Sequence, residues 1–574
     1  MARLELERGT DVLLLETGDA LLLEPFISIP QILVDIAFAS DAMAVTPTWV
    51  DVSADCRAYQ FRKGRQHELD RMQSGQATIV LDNSAGNYWP DNAGGTYYPN
   101  VIAGKKIRIR AKSGGVTYPR FVGFIDEWLP QWLSPRTGQG PYMVVTATDG
   151  LEHLANTIIS SAGEAAELSS TRVSNMLDEA SWPAADRDLK AGAETLAATG
   201  AISNLNIRDH LQKVSESELG VLFVAFDGDM TFHARSTRSN SPYDTSLATF
   251  GDDPAEMHYV SLNPVIDRTL LYNEVRLTRT GGAEQSAEDT TSQSTYGKRT
   301  YRGTALLNST DIAVNVLCGY LVARYKNANK LRMRSIEIMP QGSPNELYPK
   351  VLSYDISSRI TCRLDQASLD AEYFIEGVEE SCDASEMNWR TLWQLSDVST
   401  ELYTPAERTD SLWVLGADTA EWDTIVGGEA TNWESVNGTT ANEATYVTQT
   451  NDSSPVKDDL HTCDNMPAGN ATIASVTVYL RIKQTGSVGD YQTTVIPIVE
   501  VGGTEYAGAA KNCTTSWATV SHTWTLSPDT GIAWTVAEVN ALLIGYRTTP
   551  NAPAFDEKGQ VCWCYAVCVN TPTW

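Results

Sequence analysis

Residues 49–92 read WVDVSADCRAYQFRKGRQHELDRMQSGQATIVLDNSAGNYWPDN, and the fold of the first 400 residues turns on this stretch. A strand enters at Trp49 and reaches the charged turn Arg62-Lys63-Gly64-Arg65; a polar segment around Glu68 and Asp70 follows, and then a second strand over residues 77–81. Thr78, Ile79 and Val80 are β-branched and favour a pleated, half-buried surface, which the turn-forming run Asp82-Asn83-Ser84-Ala85-Gly86 ends. No titratable cluster of a catalytic kind lies in it. The stretch reads as architecture.

Working outward, residues 31–158 keep the period of a sheet. Ile107, Ile109 and Ala111 alternate with Arg108, Arg110 and Lys112, and residues 121–125 and 143–148 supply further strands between Gly, Pro and Asn punctuation. Residues 159–254 change period: Val173, Met176, Leu177 and Ala180 mark a helix behind Ser169-Ser170, and Ile207, Leu211 and Val214 mark a second behind Asn206. VLFVAF and MTFHAR then flank Asp227-Gly228-Asp229, the strongest hairpin signal in the chain, whose acids read as a solvated turn. Residues 255–400 return to strands, opening with LLYNEVRLTR. They contain a polar loop expected to move over 281–295, a helix capped by Ser309 or Thr310 with Lys326 and Lys330 at its end, and a phase shift between Met333 and Ile336 that calls for a β-bulge.

Gly64-Arg65, Leu69, Gly75, Thr78, Leu81, Asn83, Gly86, Tyr88 and Pro90, continuing into GKKIRIRA, FVGFIDEW and VTATDGLEHLA, together resemble the first β-domain of tail-tip (baseplate) hub proteins of long-tailed bacteriophages. The resemblance spans roughly residues 31–400. It implies a mainly β protein with two tail-tube-like β-barrel domains, residues 31–158 and 255–400, separated by a small α+β insertion over 159–254. It further implies a homotrimer that imitates six-fold symmetry at the end of a tail tube. The expected partners are other tail proteins: the tail tube or distal tail protein, fibres or tape measure. The expected location is the virion, after synthesis in the host cytoplasm.

Two flanking segments complete the organisation. Residues 1–30 carry VLLLETGDALLLEP, two LLLE runs around Thr17-Gly18-Asp19, which suggests a small hairpin arm, although leucine alone would equally permit a helix, followed by a linker marked by Pro25 and Pro30. Because a lone hairpin is marginal, it should dock on another domain or subunit. Residues 401–574 hold 20 Asp and Glu against 7 Lys and Arg, alternate through VIPIVEV, WATVSHTWTL and VCWCYAV, and carry a capping box at Thr535 and Glu538. They predict a C-terminal β-sandwich that resembles the jelly-roll domains appended to phage tail-tip and fibre proteins.

The charge balance narrows function. With 43 Lys and Arg against 72 Asp and Glu, the net charge of −29 argues against gripping phosphate backbones and fits either a soluble surface or a channel wall past which DNA slides without specific binding. No apolar run approaches the ~18 residues that span a bilayer, the N-terminus lacks the basic start of a signal peptide, and nine dispersed cysteines read as reduced, buried thiols. Cys562, Cys564 and Cys568 lack the paired spacing of a zinc site and fall on one face of a strand with Ala566, the place of core side chains. No metalloprotease, P-loop, nucleophile-elbow or dinucleotide motif occurs, so neither enzyme activity nor a cofactor is expected. Trp413, Trp422, Trp433, Trp517, Trp524 and Trp534 could stack sugar rings. Trp422 and Trp433, in polar context, are the candidates for a host-surface glycan contact, which would make the chain an adhesin.

Overall fold

The computed structural model describes residues 13–14, 20–21, 30–132, 140–266, 268–327, 331–383, 388–398, 408–422, 424–450, 457–466, 471–485, 493–548 and 558–572. Strands β1 (Leu13–Leu14) and β2 (Ala20–Leu21) pair antiparallel with Leu13 opposite Leu21, the hairpin expected from the leucine repeat. The rest of the expected arm lies outside the described residues.

The opening stretch supplies β5 and β6 of a large sheet. After β3 (Gln31–Ile36) and β4 (Val50–Asp51) come β5 (Cys56–Gly64), β6 (Gln73–Asp82), β7 (Lys106–Ser113), β8 (Val116–Gln131) and β9 (Tyr142–Thr148). Their order across the sheet is β5-β6-β9-β8-β7-β3-β4. Alternation decides which side is dry: Ile107, Ile109 and Ala111 are fully buried, whereas Arg108 and Arg110 turn outward and share Asp35 of β3.

The next segment is a compact α+β unit with its own core of Val173, Met176, Leu177, Leu211, Val214 and Phe232. It holds helices α1 (Gly150–Ala155), α2 (Ser169–Glu179) and α3 (Ile207–Glu218), and the hairpin β10 (Val221–Val224) and β11 (Met230–His233). Asn206 caps α3 by accepting from the Asp209 amide at 3.1 Å. Ser169 and Ser170 do not cap α2. Ser169 is buried and donates to Glu218 of α3 at 2.8 Å, while Ser170 accepts from the Gly192 amide, so both hydroxyls tie α2 to its neighbours instead.

Strands β12 (Thr249–Phe250) and β13 (Ser261–Val265) rejoin the large sheet, but LLYNEVRLTR does not. Its strand β14 (Glu274–Arg279) pairs with β15 (Gln285–Glu288) and β16 (Thr300–Leu306) in a separate three-stranded sheet. The loop read as mobile over 281–295 therefore contains β15 and most of α4 (Thr290–Tyr296), whose first turn is capped by Asp289. Helix α5 (Asp311–Tyr325) covers this sheet through Val314, Leu317 and Leu321. Thr310 caps it, accepting from the Ala313 amide at 3.2 Å, and Lys326 follows its last turn; Lys330 is outside the described residues. Thr310→Ala should cost about 1 kcal/mol, read as a lowered urea midpoint with unchanged slope.

Strand β17 (Arg332–Ile338) carries the expected bulge: Ile336 faces Leu262 and Met333 faces Pro264, so three steps on β17 oppose two on β13. Helix α6 (Pro344–Ser353) and strands β18 (Arg359–Leu364), β19 (Leu369–Asp383) and β20 (Asn388–Asp397) complete the second strand set. β19 then pairs antiparallel with β5, from Gly377 opposite Gly64 to Asp383 opposite Ala58. The two sets expected as separate barrels are thus joined edge to edge in one thirteen-stranded sheet over a shared core, with β4 and β13 at the ends of the main path.

The C-terminal residues form a two-sheet sandwich around a core of their own. Strand β21 (Arg408–Ala420) belongs to both sheets: its first half pairs with the final strand, Lys558–Pro572, and its second half with Asp458–Cys463. Val476, Val478, Leu480 and Ile482 from one sheet meet Val495, Val499 and Ile544 from the other. Cys564 and Cys568 join the sandwich core as the alternation required, whereas a register shift puts Val561 opposite Ile482 in that core and leaves Cys562 buried beside it; burial pushes the Cys562 thiol up to about 12. Thr535 and Glu538 form the expected capping box at the helix Val536–Asn540.

Candidate assembly interface

The turn between β5 and β6, residues 65–72, fastens the other parts of the first 400 residues to one another. The links are ion pairs and hydrogen bonds to β19, α5 and α3. Arg65 Nε donates to Glu376 of β19 at 2.7 Å, and Arg238, from the segment following β11, binds the other oxygen of the same carboxylate. Arg324 of α5 grips Glu68 through both oxygens. Arg71 donates to Glu216 of α3 at 2.7 Å, and Gln212 of the same helix donates to the Met72 carbonyl.

Just inside the turn, the links are buried. Lys63 donates to Asp355 at 3.0 Å, the same carboxylate accepts from the Phe226 amide at 2.7 Å, and the Lys63 ammonium lies 4.2 Å from the Phe226 ring centre. Deeper in the shared core, Arg120 of β8 makes a two-pronged contact with Glu380 of β19 at 3.1 and 2.6 Å, with both side chains fully buried. Glu380 also accepts from Tyr59 and Thr391, and Arg120 also donates to the Leu352 carbonyl at 2.8 Å. A buried pair with its hydrogen-bonding capacity used in this way fixes register between the two strand sets more than it adds stability.

Burial alone would raise the Glu376 carboxyl, but Arg238 and Arg65 outweigh it and hold the group well below the ordinary carboxylate range. Its folded pKa is thus depressed relative to the unfolded chain, where a glutamate titrates near ~4.3. The resulting stability is fully present above that value and drains away as pH falls. Stability of the wild-type chain should therefore decline more steeply between about pH 5 and pH 2 than that of Glu376→Gln, measured by denaturant unfolding at a series of pH values.

Beside the turn opens a cleft of about 990 Å³, walled by the turn itself, α3, β16 and α5. Eight Lys and Arg side chains line it against four Asp and Glu, although the chain as a whole is strongly acidic. Its apolar wall includes the half-buried Leu69, Leu219, Tyr301 and Tyr320. Among the described residues, no group of three or more His, Cys, Asp or Glu is placed to hold a metal ion, and no helix is long and apolar enough to cross a membrane.

The tryptophans singled out for sugar contact lie elsewhere. Trp422 is buried: its ring packs edge-on against Tyr546 at 4.8 Å and its indole N–H donates to the Lys457 carbonyl, so it offers no face to a sugar. The polar residues around it proved to be its partners, with Asp459 accepting from the Trp422 amide, Asn432 and Tyr546. Trp433 lies in the short helix Asn432–Val436 and packs half-buried against the core. Sequence reasoning missed an aromatic row on the outer face of one sheet, where Trp413, Tyr565 and Tyr479 sit opposite one another on adjacent strands. Their rings stack at 4.8 and 5.0 Å, so each covers a face of the next. The alternation in VCWCYAV, cysteine inward and aromatic outward, was the signal for it.

No protein-family model matches the chain, and no curated protein matches it. Among solved structures it is similar to a tail protein from Neisseria meningitidis at 12% identity and a TM-score of 0.44, covering 64% of this chain and 97% of that one. It is similar to the 43 kDa tail protein of prophage MuSo2 from Shewanella oneidensis at 10% identity and a TM-score of 0.43, covering 64% and 98%. A third likeness is to an Escherichia coli component of the type VI secretion system, at 11% identity and a TM-score of 0.35, covering 65% and 84%.

Proposed function

We propose that this chain is a structural hub protein of a phage tail tip, assembling as a homotrimer that closes or extends the tail tube and anchors other tip components. The observation that carries this reading is the thirteen-stranded sheet. It joins two strand sets edge to edge and ends at β4 and β13, which carry no further partner strand among the described residues. An unpaired edge is a template for another chain, and copies related by a rotation can satisfy such edges by closing a ring. Val260 and Ile266, flanking β13, are 50% and 64% exposed, apolar surface of the kind a neighbouring subunit would cover.

Two strand sets in each of three copies would present six similar units to a hexameric tube. Residues 31–158 and 255–400 would then be the tube-like parts and residues 159–254 the insertion. The acidic balance fits a lumen through which DNA passes without being held. The work is mechanical and interfacial, in the virion, and no chemistry on a substrate is assigned to it. The partners beyond the ring are the tail tube or distal tail protein, fibres or the tape measure. Light-scattering mass of the purified full chain, with electron micrographs of the particle, tests this: a three-fold ring is expected, and a chain that stays monomeric at tens of micromolar overturns it.

A further inference from the structure

We propose that Lys63 and Asp355 condense into an amide, an internal cross-link that staples the first strand set to the second. The inference holds for a ring and for a monomer alike, so it stands apart from the assembly reading. It starts from an anomaly of burial. A lysine is rarely taken out of water, yet the Lys63 side chain is 4% exposed, with the Phe226 and Phe223 ring centres 4.2 and 5.8 Å from its nitrogen. That nitrogen lies 2.9 Å from Asp355 Oδ1 and 3.0 Å from Oδ2, which places it within about 3.4 Å of Cγ, the separation of a near-attack arrangement. Burial outweighs the attraction of Asp355 and lowers the Lys63 ammonium from its ordinary value. A proton passed to the partner then leaves a nucleophilic amine.

The surroundings supply the rest of the chemistry. The Phe226 amide donates to Asp355 Oδ2 and the Ile356 amide to Oδ1, each at 2.7 Å, so the oxygen that stays is held as negative charge gathers on it. The Nζ–Cγ bond forms, one Cγ–O bond breaks, and that oxygen leaves as water with two of the three ammonium protons. Asp149 is the acid that relays them. It is buried beside the Lys63 stem: a Cβ placed on Gly75 would lie 2.6 Å from Asp149 Oδ2 and 3.3 Å from Lys63 Cβ. Burial pushes its carboxyl up to about 7, although the Gly75 and Leu151 amides and Lys63 pull the other way, so it is part-protonated near neutrality. Two buried charges become a neutral amide and a released water, which removes the desolvation cost that the ion pair carries. The joined residues are 292 apart in sequence, one on β5 and the other between α6 and β18.

The purified full chain, unfolded in guanidinium chloride, should weigh one water less than its sequence, and digestion should yield a branched peptide joining Lys63 to Asp355. Lys63→Met and Asp355→Leu should each restore the sequence mass. Mass spectrometry at intervals after cell-free synthesis times the reaction. Asp149→Asn, whose amide oxygen can still accept from Leu151 at the start of α1, should slow linking at least about tenfold. In the wild type the rate should fall as pH rises through about 7, where Asp149 loses its proton, while the Lys63–Asp355 pair stays neutral overall. The other charges acting on Asp149 and Lys63 are Glu152 and Arg120, and neither is changed in these variants. A wild-type chain still at full sequence mass after days at pH 7, or water lost at the Asp227-Gly228 step instead, overturns the cross-link. An Asp149→Asn chain that links at the wild-type rate overturns the part given to Asp149.

Discussion

Replacing Glu380 by alanine should destabilise the first 400 residues by about 3–5 kcal/mol, because it strands a buried guanidinium. Arg120 has no exposed side-chain surface, and with Glu380 gone it keeps one hydrogen-bond acceptor, the Leu352 carbonyl, beside the Phe226 and Phe61 rings at 4.0 and 5.8 Å. Tyr59 and Thr391 lose an acceptor in the same step. Removing both charges together, Arg120→Met with Glu380→Leu, should recover most of the loss, since no unpaired ion remains. Trp389 and Trp393, buried on β20 beside this pair, report the unfolding by fluorescence. A loss below about 1 kcal/mol for the single change would show that the pair is already hydrated or dispensable.

Gly64→Ala is the second large effect expected, at the point where the two strand sets meet. Gly64 has φ +94°, in the left-handed region, and a Cβ placed on it would lie 2.3 Å from the Glu376 carbonyl oxygen and 2.6 Å from Gly377 Cα. Both obstacles are backbone, so no side chain can move aside. The left-handed conformation costs an alanine about 1–2 kcal/mol and overpacking typically a further 1–3 kcal/mol. Because the clash falls on the β5–β19 pairing, the loss should appear as a lowered denaturant midpoint of the first 400 residues. Wild-type stability in this variant would mean that the join has slack the structure does not display.

Much of this was legible in the sequence because it is local. Alternation gave β6, β7 and β9, the Asp-Gly turn gave the β10–β11 hairpin, Thr310 gave the start of α5, and the phase shift at Met333 gave the bulge. The separate sheet of β14–β16 was hidden because β15, Gln285–Glu288, has only one apolar residue; its backbone, not its side chains, makes it a strand. Trp422 misled for a related reason. A polar neighbourhood suggested exposure, but Asp459 and Asn432 are polar because they satisfy buried amides around that ring. The join of β5 to β19 left one trace, the glycine at position 64, whose need for a left-handed backbone is intelligible only once its partner strand is known.

That join also sets a timetable. Arg65 and Glu376 are 311 residues apart, so during synthesis the open side of β5 waits for a strand that has not yet been made. At about 5–20 residues per second, the wait is roughly 15–60 s, during which a bare strand edge and half a core face the crowded cell. The vulnerable species is therefore a nascent chain, and aggregation should peak for ribosome-stalled products that end before residue 369 and fall once β19 has emerged.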